Sequence, residues 1–235
     1  MTIRTLLAPL FGFGLLLGTQ AVLATTPGAF TATYNVSQGG EPMGVATVIL
    51  RSAGHGEWIY SKDVKSTGGL AAMLGASLTE ASRFRWKGDA PEAVSYDYQL
   101  QTGIKNKQRH MTVDWASNQV TLDEGKGSQT YPASPGMVER NTTSLALGLA
   151  LRDGKQQITL PVAVRQQVQT QSFKVAGKEA IKVPAGSFNA ERIDRTDAER
   201  GFSAWYVPAR YLLPVKLSQH DGGDLTMELV SYHAN

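Results

Sequence analysis

The chain has 235 residues, 23 lysines and arginines against 20 aspartates and glutamates, four histidines and no cysteine. A formal charge of +3 is too small to point to nucleic acid or an anionic membrane surface as partner, and the lack of cysteine excludes a disulfide framework and lipoprotein attachment. A chain of this length can bury roughly 70% of its unfolded surface and needs no staples.

Arg4 is the one charge in residues 1–24, ahead of an apolar run from Leu6 to Leu17 and the small-residue ending Val22-Leu23-Ala24. This is the pattern of a secretory signal cleaved after Ala24. The apolar run is shorter than the ~20 residues of a bilayer span, so no transmembrane anchor is expected after cleavage. Residues 25–235 then form the mature protein, expected in the periplasm as a single β-rich domain, since no repeat, linker or boundary interrupts them.

Strand signals begin at once. Phe30, Ala32, Tyr34 and Val36 alternate with polar residues, Gly39 to Pro42 turns the chain, and Met43 to Leu50 is apolar on both faces. Trp58 to Val64 is a third strand. Ser66 to Ala76 is small, glycine-rich and apolar, which fits equally a short helix or an apolar loop across the sheet. Leu78 to Trp86, Val94 to Leu100 and Arg109 to Trp115 resume the period of two, and Gln129 to Tyr131 suits a short edge strand.

Asn141 to Leu151 is the one helix, with Asn141 or Thr142 to cap it and Asp153-Gly154 to stop it. Strand pattern returns at Ile158 to Val164. Phe173 to Val183 then reads as a hairpin bent at Ala176-Gly177-Lys178, and Pro184-Ala185-Gly186 is a tight turn specified by backbone chemistry. Ser187 to Ile193, Phe202 to Pro208, Tyr211 to Leu217 and Leu225 to Tyr232 complete the strands.

The tail VAGKEAIKVPAGSFNAERIDR followed by WYVPARYLLPVKL resembles an uncharacterised family of exported bacterial proteins, domain of unknown function 3108. Tyr34-Asn35-Val36, Gly44, Gly68-Gly69-Leu70, Glu80 to Trp86 and Asp114-Trp115 extend the resemblance over nearly the whole mature chain. It implies a periplasmic β-rich protein and supplies no reaction or catalytic residue. It also implies an architecture similar to the half-barrels that carry lipoproteins or lipids in the envelope.

Chemistry-bearing patterns are sparse. His55, His110, His220 and His233 are scattered, with only Asp221 and Asp224 near His220, so no metal and no cofactor is expected. Gly-x-Ser-x-Gly is absent, and Ser187 follows a hairpin turn, not a nucleophile elbow. Glu80, Asp97, Asp114, Glu191 and Asp194 lie on strands, where two could meet as acid and base of an envelope glycan hydrolase or lyase. Lys105, Lys107, Arg109 and His110 could hold phosphate or an acidic glycan, although their spacing suits a solvated hairpin tip. Arg83 and Arg85 alternate with Phe84 and Trp86, as in a ligand-reading strand or a soluble edge strand.

Met43 to Leu50, Trp205 to Val207 and Tyr211 to Leu217 are apolar on both faces, more than one short helix can cover. The fold expected is therefore mainly β, a single curved antiparallel sheet, half-barrel or open barrel, with one short helix and the apolar segment against it. Trp58, Trp86, Trp115, Trp205, Tyr206 and Tyr211 are the candidate lining residues. Pro208 and Pro214 cannot donate to a ladder, which places their strands at an edge or bulge. The function expected is non-catalytic binding of an apolar or amphipathic ligand, a lipid for example, or of an envelope protein; nucleic acid is not expected. The alternatives are the glycan hydrolase and an interaction module that docks a partner at the proline-marked edge.

Overall fold

The computed structural model describes residues 27–68, 72, 75–103, 105–198, 201–220 and 223–235. The expected signal segment, most of the apolar stretch at 69–74, and Asp221 lie outside the described residues.

Among the described residues there are fifteen strands: β1 (Phe30–Gln38), β2 (Glu41–Gly54), β3 (Glu57–Ser66), β4 (Ser77–Lys87), β5 (Ala90–Gln101), β6 (Asn106–Asp114), β7 (Gln119–Asp123), β8 (Ser128–Pro132), β9 (Val138–Glu139), β10 (Gln157–Val164), β11 (Gln167–Val183), β12 (Gly186–Arg195), β13 (Phe202–Tyr206), β14 (Lys216–Gln219) and β15 (Leu225–Ala234). One helix, α1 (Thr143–Arg152), separates β9 from β10. All the strands belong to a single sheet in the order β8-β7-β6-β5-β4-β3-β2-β1-β15-β14-β13-β12-β11-β10-β9. Pairing is antiparallel except for the two-residue β9 beside β10. The first and last strands are thus neighbours at the centre, and both free edges come from the middle of the chain.

That order explains the curvature. The two edges, β8 and β9, are joined only by residues 133–137, and so short a link spans at most about 20 Å. The ends of the sheet must therefore approach each other. They meet through side chains: Tyr96, Met111, Leu122, Tyr131 and Met137 pack with Ala163 and Val168 from the opposite arm. Two hydrogen bonds pin the link to β5, Met137 O accepting from Ala93 N at 2.9 Å and Glu92 Oε1 accepting from Gly136 N at 3.2 Å. The sheet is curled but open, a barrel without a closing ladder.

One end of this barrel is filled. α1 is buried on nearly every side, with Leu145 and Leu149 in the main core and Leu147, Ala150 and Leu151 against Ile158, Phe173 and Tyr206. Gly148 faces the Leu212 carbonyl, where any Cβ would collide. Thr142 occupies the N-cap position without a side-chain cap bond. Glu139 instead fixes the chain entering the helix, accepting from Asn141 N at 2.7 Å, Thr142 N at 3.2 Å and Thr142 Oγ1 at 2.6 Å. Asp153 and Gly154 end the helix as expected, Gly154 at φ 77.

Four local expectations are corrected. Phe173 to Val183 is not a hairpin but part of the single long strand β11, with a bulge at Gly177 (φ 147) where two neighbours face one partner. Tyr211 to Val215 is not strand: Tyr211, Leu212, Leu213 and Val215 are buried in an irregular segment that crosses beneath α1. It is apolar in every direction because it is a plug, not because a sheet covers both its faces. Pro214 lies in that plug and Pro208 in the turn between it and β13, neither at an edge, and Pro214 O accepts from Tyr34 OH at 2.9 Å. β13 and β14 are paired on both sides, so no proline-marked edge is available for docking. β2 departs from expectation too: Gly44, Ala46, Val48 and Leu50 point inward and are buried, whereas Val45 on the outer face is exposed.

Candidate functional site

The other end of the barrel encloses a hollow of about 800 Å³, walled by strands from nearly the whole circumference and floored by Asn141, Thr143, Ser144, Leu213 and Pro214. Antiparallel register stacks the inward side chains of β2 to β7 in rows. Nearest the mouth are Val64, Leu78, Leu100 and Lys107; the next row is Val48, Lys62, Glu80, Tyr98 and Arg109; the deepest is Leu50, Tyr60, Ser82, Tyr96, Met111 and Leu122. The opposite wall carries Val36, Val162, Phe202, Leu217, Leu225 and Met227.

A polar seat is built into the middle row. Glu80 is fully buried, ion-paired with Lys62 and with Arg140 Nε at 3.4 Å, and it accepts a hydrogen bond from Tyr96 OH. Burial raises its pKa, but the Lys62 and Arg140 charges and the bonds from Lys62 and Tyr96 outweigh that and hold it at about 2. Glu139, fully buried nearby, is shifted the other way, raised by burial against the bonds from Thr142, Ser82 and Asn141. Asn141 donates to Tyr60 O at 3.2 Å and Ser82 Oγ at 2.9 Å, while its buried Oδ1 has no donor among the described residues. The floor therefore presents one open acceptor.

Six cationic side chains line the hollow, namely Lys62, Lys107, Arg109, Arg140, Arg165 and Arg195, and among the described residues no aspartate or glutamate does. Lys62 and Arg140 share Glu80, Arg109 pairs with Glu124, and Arg195 pairs with Asp197 at 2.9 Å. Lys107 and Arg165 make no ion pair among the described residues. Arg165 stands at the β10–β11 tip with φ 55, in the left-handed region that arginine seldom occupies.

The expected lining residues lie elsewhere. Trp58 and Trp86 pack edge-on with centroids 6.0 Å apart, and Phe84 meets Trp86 at 4.9 Å, at the end of β3 and β4 away from the mouth. Tyr211 packs there against Tyr232, the rings tilted by 49° with centroids 5.0 Å apart. Trp115 donates to Ala93 O at 2.9 Å, with Arg85 and Lys87 against its ring. Trp205 is outside the sheet, donating to Glu179 Oε2 at 2.7 Å between Arg192 and Lys216. Tyr206 is buried beneath α1, its hydroxyl donating to Ser144 O at 2.9 Å. None of the six borders the hollow. The wall is marked instead by a period-two signal, Tyr96, Tyr98 and Leu100 on β5 opposite Lys107, Arg109 and Met111 on β6.

Of the five carboxylates expected on strands, Glu80 alone sits beside the hollow. Asp97 is outside the sheet, 2.6 Å from His110 Nδ1; Asp114 closes the β6–β7 turn through Ser117; Glu191 meets Lys178; and Asp194 binds Arg192 and Ser203. Among the described residues no group of three His, Asp or Glu is placed to hold a metal ion, and no helix is long and apolar enough to cross a membrane.

A family model described as "Protein of unknown function (DUF3108)" matches residues 33–230. The fold is similar to that of a solved beta-barrel-like protein, of domain of unknown function DUF1849, from Brucella abortus. That likeness covers 90% of this chain and 100% of the other, with a TM-score of 0.56 at 10% identity, and so concerns the fold alone. No curated protein matches the chain.

Proposed function

The chain belongs to the DUF3108 family of proteins of unknown function, and from that premise we propose that it is an exported, non-catalytic protein that holds an apolar or amphipathic ligand inside its curled sheet. The observation that carries this reading is the hollow of about 800 Å³. Protein interiors are packed to crystal density, and apolar walls that face a void forgo dispersion contacts. A fold that fills one end of its barrel with a helix and a plug, and leaves the other end lined by valine, leucine and tyrosine, has room for an occupant. The volume falls within the roughly 300–1,000 Å³ of ordinary small-molecule sites. The leader-like residues 1–24 support export, with the periplasm and cell envelope as the place of action.

The test is native mass spectrometry of full-length protein purified from its own host, followed by organic extraction. A stoichiometric apolar or amphipathic compound is expected. Leu100→Trp with Leu217→Trp, which narrows the hollow from both walls, should reduce that compound and the uptake of the neutral dye Nile red. Protein that arrives empty and takes up no dye would end the reading.

A further inference from the structure

Resting on that reading, we infer that the occupant is an anionic amphiphile, an acyl chain carrying a carboxylate or phosphate head, whose head sits near the mouth between Lys107, Arg109 and Arg165 while the chain runs inward along the apolar opposite wall. The argument is one of unmatched charge. The six cations on the wall are met by only three carboxylates, Glu80, Glu124 and Asp197. The surplus is concentrated at the mouth.

Lys107 is half-buried and feels Arg109 and Arg165 together. β6 supplies Lys107 and Arg109 two residues apart on its inner face, and the β10–β11 tip brings Arg165 across from the other arm of the sheet. Burial first, then the neighbouring Arg109, press the Lys107 pKa down; Glu124, the partner of Arg109, opposes this, and Lys105 and Arg165 add to it. An anion at that position relieves the crowding and gains charge-assisted hydrogen bonds from a forked guanidinium and an ammonium. Beside Lys107 in the same row lie Leu100, Leu78 and Val64, and the opposite wall carries Val36, Leu217, Leu225 and Met227, an apolar surface that suits a methylene chain.

The experiment compares ligands that share one chain and differ in head: palmitate, hexadecyl phosphate, hexadecanol and hexadecyltrimethylammonium, titrated into delipidated full-length protein by calorimetry. The two acids should bind at least about tenfold tighter than the alcohol, and the cation weakest of all. Lys107→Gln with Arg165→Gln should remove that preference and leave hexadecanol affinity within about twofold, because the alcohol brings no charge for either side chain to meet. Circular dichroism and Nile red uptake by the double variant establish that the hollow is intact. Hexadecanol or the cation binding as tightly as the acids would overturn the inference, as would acid affinity indifferent to the double variant. Inorganic phosphate that matches hexadecyl phosphate would show an anion site without a chain and overturn it equally. If none of the four binds and Nile red stays out, the failure is that of the binding reading itself.

Discussion

The two ends of the barrel solve opposite problems with the same strands. At the closed end almost every buried polar group has a named partner: Tyr34 OH and Tyr206 OH each reach a backbone carbonyl, and Glu139 gathers the amides ahead of α1. At the open end charges of one sign gather, and among the described residues two of them, Lys107 and Arg165, make no ion pair. Satisfied networks fix a unique packing, whereas groups left unmatched are the ones that await something else. The contrast teaches that filling and hollowing are local choices, made by what projects from each strand and not by the sheet as a whole.

The largest expected break in that contrast is at the seat dividing the two ends. Glu80→Gln strands Lys62 and Arg140 over a buried site and should cost about 3–5 kcal/mol in urea denaturation. The same carboxyl sets a pH profile. Its pKa in the fold, about 2, lies below the ordinary 4.5, so its stabilisation is full above about 4.5 and is lost as pH falls towards 2. The loss is about 3 kcal/mol. Glu139 acts with opposite sign: its share is full below the ordinary carboxyl range and is lost as pH rises through its raised value. Acid titration of Glu80→Gln should therefore lack the steep limb, and a profile unchanged from wild type would remove Glu80 from this role.

Next in size is the plug. Gly148→Ala drives a methyl into the Leu212 carbonyl and should cost about 1–3 kcal/mol, read as a lower thermal midpoint. Tyr34→Phe, which leaves the Pro214 carbonyl without its donor, should cost about 1–2 kcal/mol. Smallest is the mouth: Lys107→Gln with Arg165→Gln should leave stability within about 0.5 kcal/mol, with any change towards greater stability because like charges are removed. A large loss there would mean that both ends are structural.

Much of the fold was legible in the sequence because period two and turn chemistry are local signals. The strands from β1 to β7, the Pro184 turn and the stop of α1 all follow from residues within a few positions of one another. What misled was reach. Tyr211 to Val215 is apolar in every direction, and from sequence alone a buried plug cannot be told from a strand covered on both faces. Gly177 looks like a bend, but its partner across the bulge is Arg192 on a neighbouring strand. The curl itself comes less from two-faced strands than from the short link between β8 and β9, a fact of topology. Lys107 and Arg109 read as a solvated tip because nothing nearby in the chain reveals that their face of β6 turns towards the opposite arm. Tryptophans drew attention for their size, yet large rings serve the packed end better than the empty one.

The overlap held by Tyr96, Met111 and Tyr131 against Ala163 and Val168 gives the wall an unusual freedom. Where ladders close a cylinder, its girth is set by strand count. A cuff lapped over itself can instead hinge wider or tighter about the two hydrogen bonds that pin its link to β5, since beyond them oily surfaces trade neighbours without stranding amides. Guests of differing thickness, straight or kinked, should therefore be accommodated with similar affinity, and amide exchange along β8 and β9 should outpace that along β1 and β15.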